Sequence, residues 1–175
     1  MMRGKPLYAG LVWLLSLFVA QAAMAAGEIE YVLDHTITSV TPVFEQGHEG
    51  EQARIQGFHI NTDVSVGGAP VGTSNIQVNF LNPPFDLAAP YSHAIMTSKM
   101  TLPGIGTVEY TANTVNLTSS TSPTTGDIVF SFSGSFSNGT GGLEGVYGLT
   151  SGTGIANAFT EEGTAKQVVR LRWGY

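Results

Sequence analysis

The chain has 175 residues, of which 11% are charged and none is cysteine, and its formal net charge is −6. Without cysteine there is neither a disulfide framework nor a lipidated cysteine. Without a basic run, nucleic acid and anionic membrane surfaces are poor partners.

Residues 1–26 read as a secretory signal peptide. Arg3 and Lys5 form a short basic start, Leu11 to Ala20 is apolar except for Ser16, and Ala23-Met24-Ala25 offers a small-x-small cleavage site. An uncleaved span would need about 20 apolar residues and would use up those alanines. The expected location is therefore exported, periplasmic or secreted. Setting aside Arg3 and Lys5 leaves five basic residues against 13 acidic, a net charge of −8 that favours solubility. Residues 27–175 suit a single domain with a real core.

Period-two alternation predicts strands over 28–40, 52–62, 75–80, 93–102, 106–117, 128–136, 143–148, 153–160 and 167–173. Asn75 to Phe80 alternates throughout, and Ile128 to Phe136 places bulk on even positions and mostly serine on odd ones. Turn signals separate the strands: Gly67-Gly68-Ala69-Pro70, Asn82-Pro83-Pro84, Pro103-Gly104, Ser122-Pro123 and Glu161-Glu162-Gly163. No segment after residue 26 carries a helical stripe, and no linker or internal repeat is visible. The fold class expected is all-β, a small antiparallel eight-stranded barrel, since closure removes exposed edges.

The segment Asn138-Gly139-Thr140-Gly141-Gly142-Leu143-Glu144-Gly145-Val146-Tyr147-Gly148 crowds five glycines behind the regular strand at 128–136. Asn138-Gly139 predicts a two-residue hairpin turn. The later glycines would let the next strand bend, with Leu143, Val146 and Tyr147 supplying packing. Following an F-x-F strand, Gly141 to Gly148 resembles the glycine-rich hairpin of the allene oxide cyclase-like barrels. Glu144 to Gly148 matches the Glu-Gly-Val-Tyr-Gly of the plant cyclases, and the dirigent barrels carry a similar turn. The resemblance covers about 40 residues well. It implies an eight-stranded barrel, often a homo-oligomer, around an apolar cavity. In that family the cavity closes a fatty-acid epoxide or orients phenoxy radicals. The resemblance makes Gly141, Gly142, Glu144, Gly145, Tyr147 and Gly148 structural, and it assigns no catalytic residue here.

Candidate binding residues are polar groups on apolar faces. Tyr31 and His35 share a face with Ile29, Leu33 and Ile37, Tyr110 follows Val108, and His59 follows Ile55 and Gly57. Each could serve acid–base chemistry, form an internal hydrogen bond, or lie exposed. The run Glu45 to Glu51 around His48 has the character of a solvated loop, and the chain lacks H-x-H or H-x-x-x-H pairing, so no metal is assigned. No P-loop, hydrolase elbow or cofactor motif is present. The reading is an exported soluble barrel holding a small hydrophobic or aromatic ligand. Its alternatives are an isomerase or cyclase acting by confinement, and a small outer-membrane barrel suggested by the alternating, aromatic carboxyl terminus Val169 to Tyr175.

Overall fold

The computed structural model describes residues 27–44, 55–81, 92–119, 126–157 and 159–174; the expected signal peptide lies outside them. Eight strands follow in chain order: β1 (Gly27–Phe44), β2 (Ile55–Val66), β3 (Ala69–Phe80), β4 (Ser92–Leu102), β5 (Gly106–Ser119), β6 (Asp127–Ser137), β7 (Tyr147–Asn157) and β8 (Gly163–Trp173). Each pairs antiparallel with the next, and β8 returns to β1, so the sheet closes as an up-and-down barrel.

Alternation decides what faces inward. On β8, Gln167, Val169 and Leu171 are buried while Lys166, Val168, Arg170 and Arg172 are exposed. β3 begins at Ala69 rather than 75, because Gly67 and Gly68 both take positive φ (55° and 81°) and turn the chain in two residues. The expected strands at 143–148 and 153–160 are one strand, β7. Gly141–Leu143 forms a 3₁₀ turn instead, and the β6–β7 connection runs over 138–146. The two-residue hairpin predicted at Asn138-Gly139 is absent. Asn138 does take a left-handed φ of 53°, but the chain does not reverse there.

The closing seam has a charge code. β1 presents Glu28, Glu30, Val32 and Asp34 outward, directly opposite Arg172, Arg170, Val168 and Lys166 of β8. Arg172 Nε meets Glu28 Oε2 at 2.7 Å, Arg170 Nη2 meets Glu30 Oε2 at 2.7 Å, and Lys166 Nζ meets Asp34 Oδ1 at 2.6 Å. A slip of one residue would turn these charges into the core, so the ladder and the pleat specify one register.

On β2 to β4 the outer face is mostly polar, with Asn61, Asp63, Asn75, Asn79 and Lys99 exposed, while Val64, Ile76, Val78, Met96 and Met100 are buried inside; on β6 and β7 the apolar Val129, Leu149 and Ile155 are exposed among serines and threonines. An outer-membrane barrel needs the reverse, an apolar exterior band about 25 Å tall.

Candidate binding site inside the barrel

β1 sends Tyr31, Leu33, His35 and Ile37 inward, and β5 sends Val108, Tyr110 and Ala112. Tyr31 is half-buried, His35 is buried, and Tyr110 retains only 1% of its surface. His59 does not join them. It is exposed, paired with Thr41 and Gln77 on the outer face. The reason is a bulge: Val43 pairs with Gly57 but Phe44 with Ile55, so Gln56 is an extra residue on β2. An inserted residue reverses the inward and outward parity beyond it. Ile55 and Phe58 therefore both pack on the core, and the inward set continues as Ile60, Thr62 and Val64.

The side chains around His35 form a chain of hydrogen bonds whose direction can be worked out from its end. Thr150 Oγ1 donates to the Val168 carbonyl at 3.1 Å, which can only accept. Thr150 Oγ1 must then accept from Gln167 Nε2, 2.8 Å away. That turns Gln167 Oε1 toward His35 Nε2 at 2.7 Å, so Nε2 carries the proton. His35 Nδ1 is left to accept from the Thr62 hydroxyl at 3.0 Å. Burial favours this neutral imidazole, in which both nitrogens are committed. Burial lowers its pKa, while Gln167 and the nearby Asp34 carboxylate pull weakly the other way.

A second cluster lies across the barrel. Ser74 Oγ and Ser98 Oγ are 2.6 Å apart, and Tyr110 hydrogen-bonds to both. Burial pushes the Tyr110 hydroxyl up to about 12, against the two serines. Thr62 and Ser74 are directly opposite on β2 and β3, and Ser98 and Tyr110 are opposite on β4 and β5. The two clusters are therefore one polar belt at a single level of the interior. Seven strands contribute to it, while β6 brings Gly134, opposite Thr150. All the polar members are at most 4% exposed. Buried polar groups without partners are costly, and here they satisfy one another.

Beyond the belt, toward the end where β6 leads into β7, lies a cavity of about 40 Å³. Tyr31, Leu33, Met100, Val108, Phe136 and Leu171 help line it, and Leu143 closes it. Leu143 is 1% exposed and Val146 is also buried. The segment carrying them docks on the β4–β5 turn, where Thr140 N donates to the Thr107 carbonyl (2.8 Å) and Gly142 N to the Ile105 carbonyl (2.7 Å). Two glycines permit the fit. A Cβ on Gly106 would lie 1.9 Å from the Thr140 carbonyl oxygen, and one on Gly139 would lie 1.8 Å from that of Leu143. The glycine-rich motif is an end closure, then, more than a bent strand. Glu144, Gly145 and Tyr147 are exposed, so the buried packing of the segment comes from Leu143 and Val146, whereas Gly148 allows the β8 backbone to approach.

The aromatic side chains of β5 and β6 form a file through the interior. Phe130 and Phe132 stack at 6.5 Å, Phe132 and Tyr110 at 6.3 Å, and Tyr110 meets Phe136 at 5.4 Å. Gly152 and Gly154 of β7 leave room for the Phe132 and Phe130 rings. Sequence reasoning missed Thr62, Ser74, Ser98, Thr150 and Gln167. Their signal was a polar residue in phase with apolar neighbours, such as Ser98 between Met96 and Met100. The candidate run Glu45 to Glu51 lies outside the described residues.

No protein-family model and no curated protein matches the chain. Among solved structures it is similar to the Diels-Alderase AbmU from Streptomyces koyangensis, at 14% identity and a TM-score of 0.45, covering 99% of this chain and 82% of that one. It is also similar to a nonspecific heme-binding cyclase that catalyses a cycloaddition during neoabyssomicin biosynthesis, at 15% identity and a TM-score of 0.44, covering 99% and 77%. At this distance neither likeness assigns an activity. The chain is a closed eight-stranded antiparallel barrel whose chemistry rests on its own interior.

Proposed function

We propose that this protein is an exported, soluble barrel that holds one small apolar or aromatic molecule between the polar belt and the end closed by Leu143. The observation that carries this reading is the apolar void of about 40 Å³ that Leu143 helps to enclose. Protein interiors contain few voids larger than a water molecule. A water needs about 10–15 Å³ and two or more polar partners, which these walls do not offer. Drug-sized ligands fill roughly 300–1,000 Å³. The resting cavity therefore takes only a small group, and anything larger must displace Leu143. A fitting molecule has a compact apolar body against Leu33, Met100 and Val108, with any polar end toward the belt.

Binding is favoured over catalysis because the buried titratable groups are committed. His35 has no free nitrogen, and Tyr110 stays protonated at ordinary pH. The confinement chemistry implied by the allene oxide cyclase and dirigent resemblance would use the same compartment, with Tyr31 on the cavity wall as the polar group it needs. The charged seam of β1 and β8 and the amide-rich outer face of β2 and β3 favour a soluble protein over a membrane barrel. Purification from the native source without detergent, followed by native mass spectrometry, tests the proposal. The expected result is soluble protein carrying one small organic compound per barrel. Protein extracted only by detergent, or empty barrels that also fail to take up small aromatic compounds, would refute it.

A further inference from the structure

We infer, resting on that binding role, that segment 138–146 is a displaceable plug: the ligand enters at this end, and its apolar part takes the place of Leu143. Three observations converge. First, Leu143 lines the void together with Val66, Val71 and Leu102, while the belt of His35, Gln167, Ser74, Ser98 and Tyr110 crosses the interior farther in. Entry past the belt would break hydrogen bonds in an apolar interior, whereas entry past the plug would not.

Second, the plug's hydrogen bonds to the barrel run along the β4–β5 side. Thr140 and Thr107 exchange a backbone bond, an N–H to hydroxyl bond (3.1 Å) and a hydroxyl pair (2.8 Å), Gly142 N donates to the Ile105 carbonyl at 2.7 Å, and Asn138 Nδ2 donates to Glu109 Oε2 at 2.9 Å. The side-chain bonds among these are exposed, so water can replace each partner there as the segment lifts. Third, the segment is braced within itself and flanked by glycines. Its 3₁₀ turn is held internally by Leu143 N to Thr140 O and Glu144 N to Gly141 O, both 3.1 Å. Gly139 precedes the turn, and Gly145 follows it with φ of 73° and open space around its α-carbon. Leu143 is thus a resident occupant that competes with the ligand, and the open population limits apparent affinity.

The natural chain has no cysteine, so Thr107→Cys with Thr140→Cys would create the only possible disulfide, at side chains whose oxygens are 2.8 Å apart. The probe is N-phenyl-1-naphthylamine, an uncharged aromatic fluorophore, followed by stopped-flow fluorescence. In the reduced double variant it should associate as in wild type. Oxidation should slow association at least about tenfold, with recovery on reduction. Leu143→Ala, which removes the occupant, should tighten or accelerate binding up to about tenfold. Equal rates in the oxidised and reduced forms would overturn the plug while leaving the binding role intact. No uptake by wild type, the reduced variant or Leu143→Ala would overturn both.

Discussion

Strands β1 and β8 carry two interactions of nearly equal length on opposite faces. Outside, Lys166 Nζ meets Asp34 Oδ1 at 2.6 Å; inside, one residue along each strand, His35 Nε2 meets Gln167 Oε1 at 2.7 Å. The outer pair is charged, but Lys166 is 74% exposed, so water and salt screen it and its ordering entropy offsets much of the gain. The inner pair is neutral and dry, and losing either partner strands a polar atom where water cannot follow. Environment, not charge or distance, decides which contact matters.

The comparison can be broken in order of expected size. Leu143→Ala removes a wholly buried side chain beside an existing void and should cost about 2–5 kcal/mol, read from the denaturant midpoint. If Val146 and its neighbours collapse into the gap, the low end applies. Gln167→Leu keeps the bulk but orphans His35 Nε2–H and frees Thr150 of its donor, for about 1–3 kcal/mol.

A pH titration sharpens the contrast. Burial holds the His35 pKa below its ordinary value, so in the window between that depressed value and about 6.5 the unfolded chain binds a proton that the native barrel does not. His35 should thus cost no stability above that window, and stability should fall as pH drops through it, at no more than about 1.4 kcal/mol per pH unit. Urea melts at pH 7.5 and 5.5 should show a smaller difference for His35→Leu than for wild type. An identical difference would mean that the buried imidazole is already charged. The outer face should respond least: Lys166→Ala is expected to change stability by less than about 1 kcal/mol, and by still less at 1 M salt, where charges are screened beyond about 3 Å.

Much of this was legible in the residues. Alternation placed most strands within a few positions and set Tyr31, His35 and Tyr110 on inward faces. The seam could have been read too. Glu-x-Glu-x-Val-x-Asp at 28–34 is the charge complement, run backward, of Lys-x-Val-x-Arg-x-Arg at 166–172. His59 was misread because parity was counted from Ile55 across a bulge that leaves no mark in Gln56 itself. The 138–148 segment was misread because glycine signals freedom without saying what it serves: at 106 it serves backbone contact with a connection far away in sequence, and at 139 a tight contact within its own connection.

Local periodicity, then, was enough for most strands, most of their faces and the all-β class, because a pleated chain that buries one side must alternate. Only the closed tertiary structure assembled the belt and the plugged cavity. Their members come from strands up to 132 residues apart, joined by His35 and Gln167, and a bulge or a docked connection becomes visible only once its partner strand is in place.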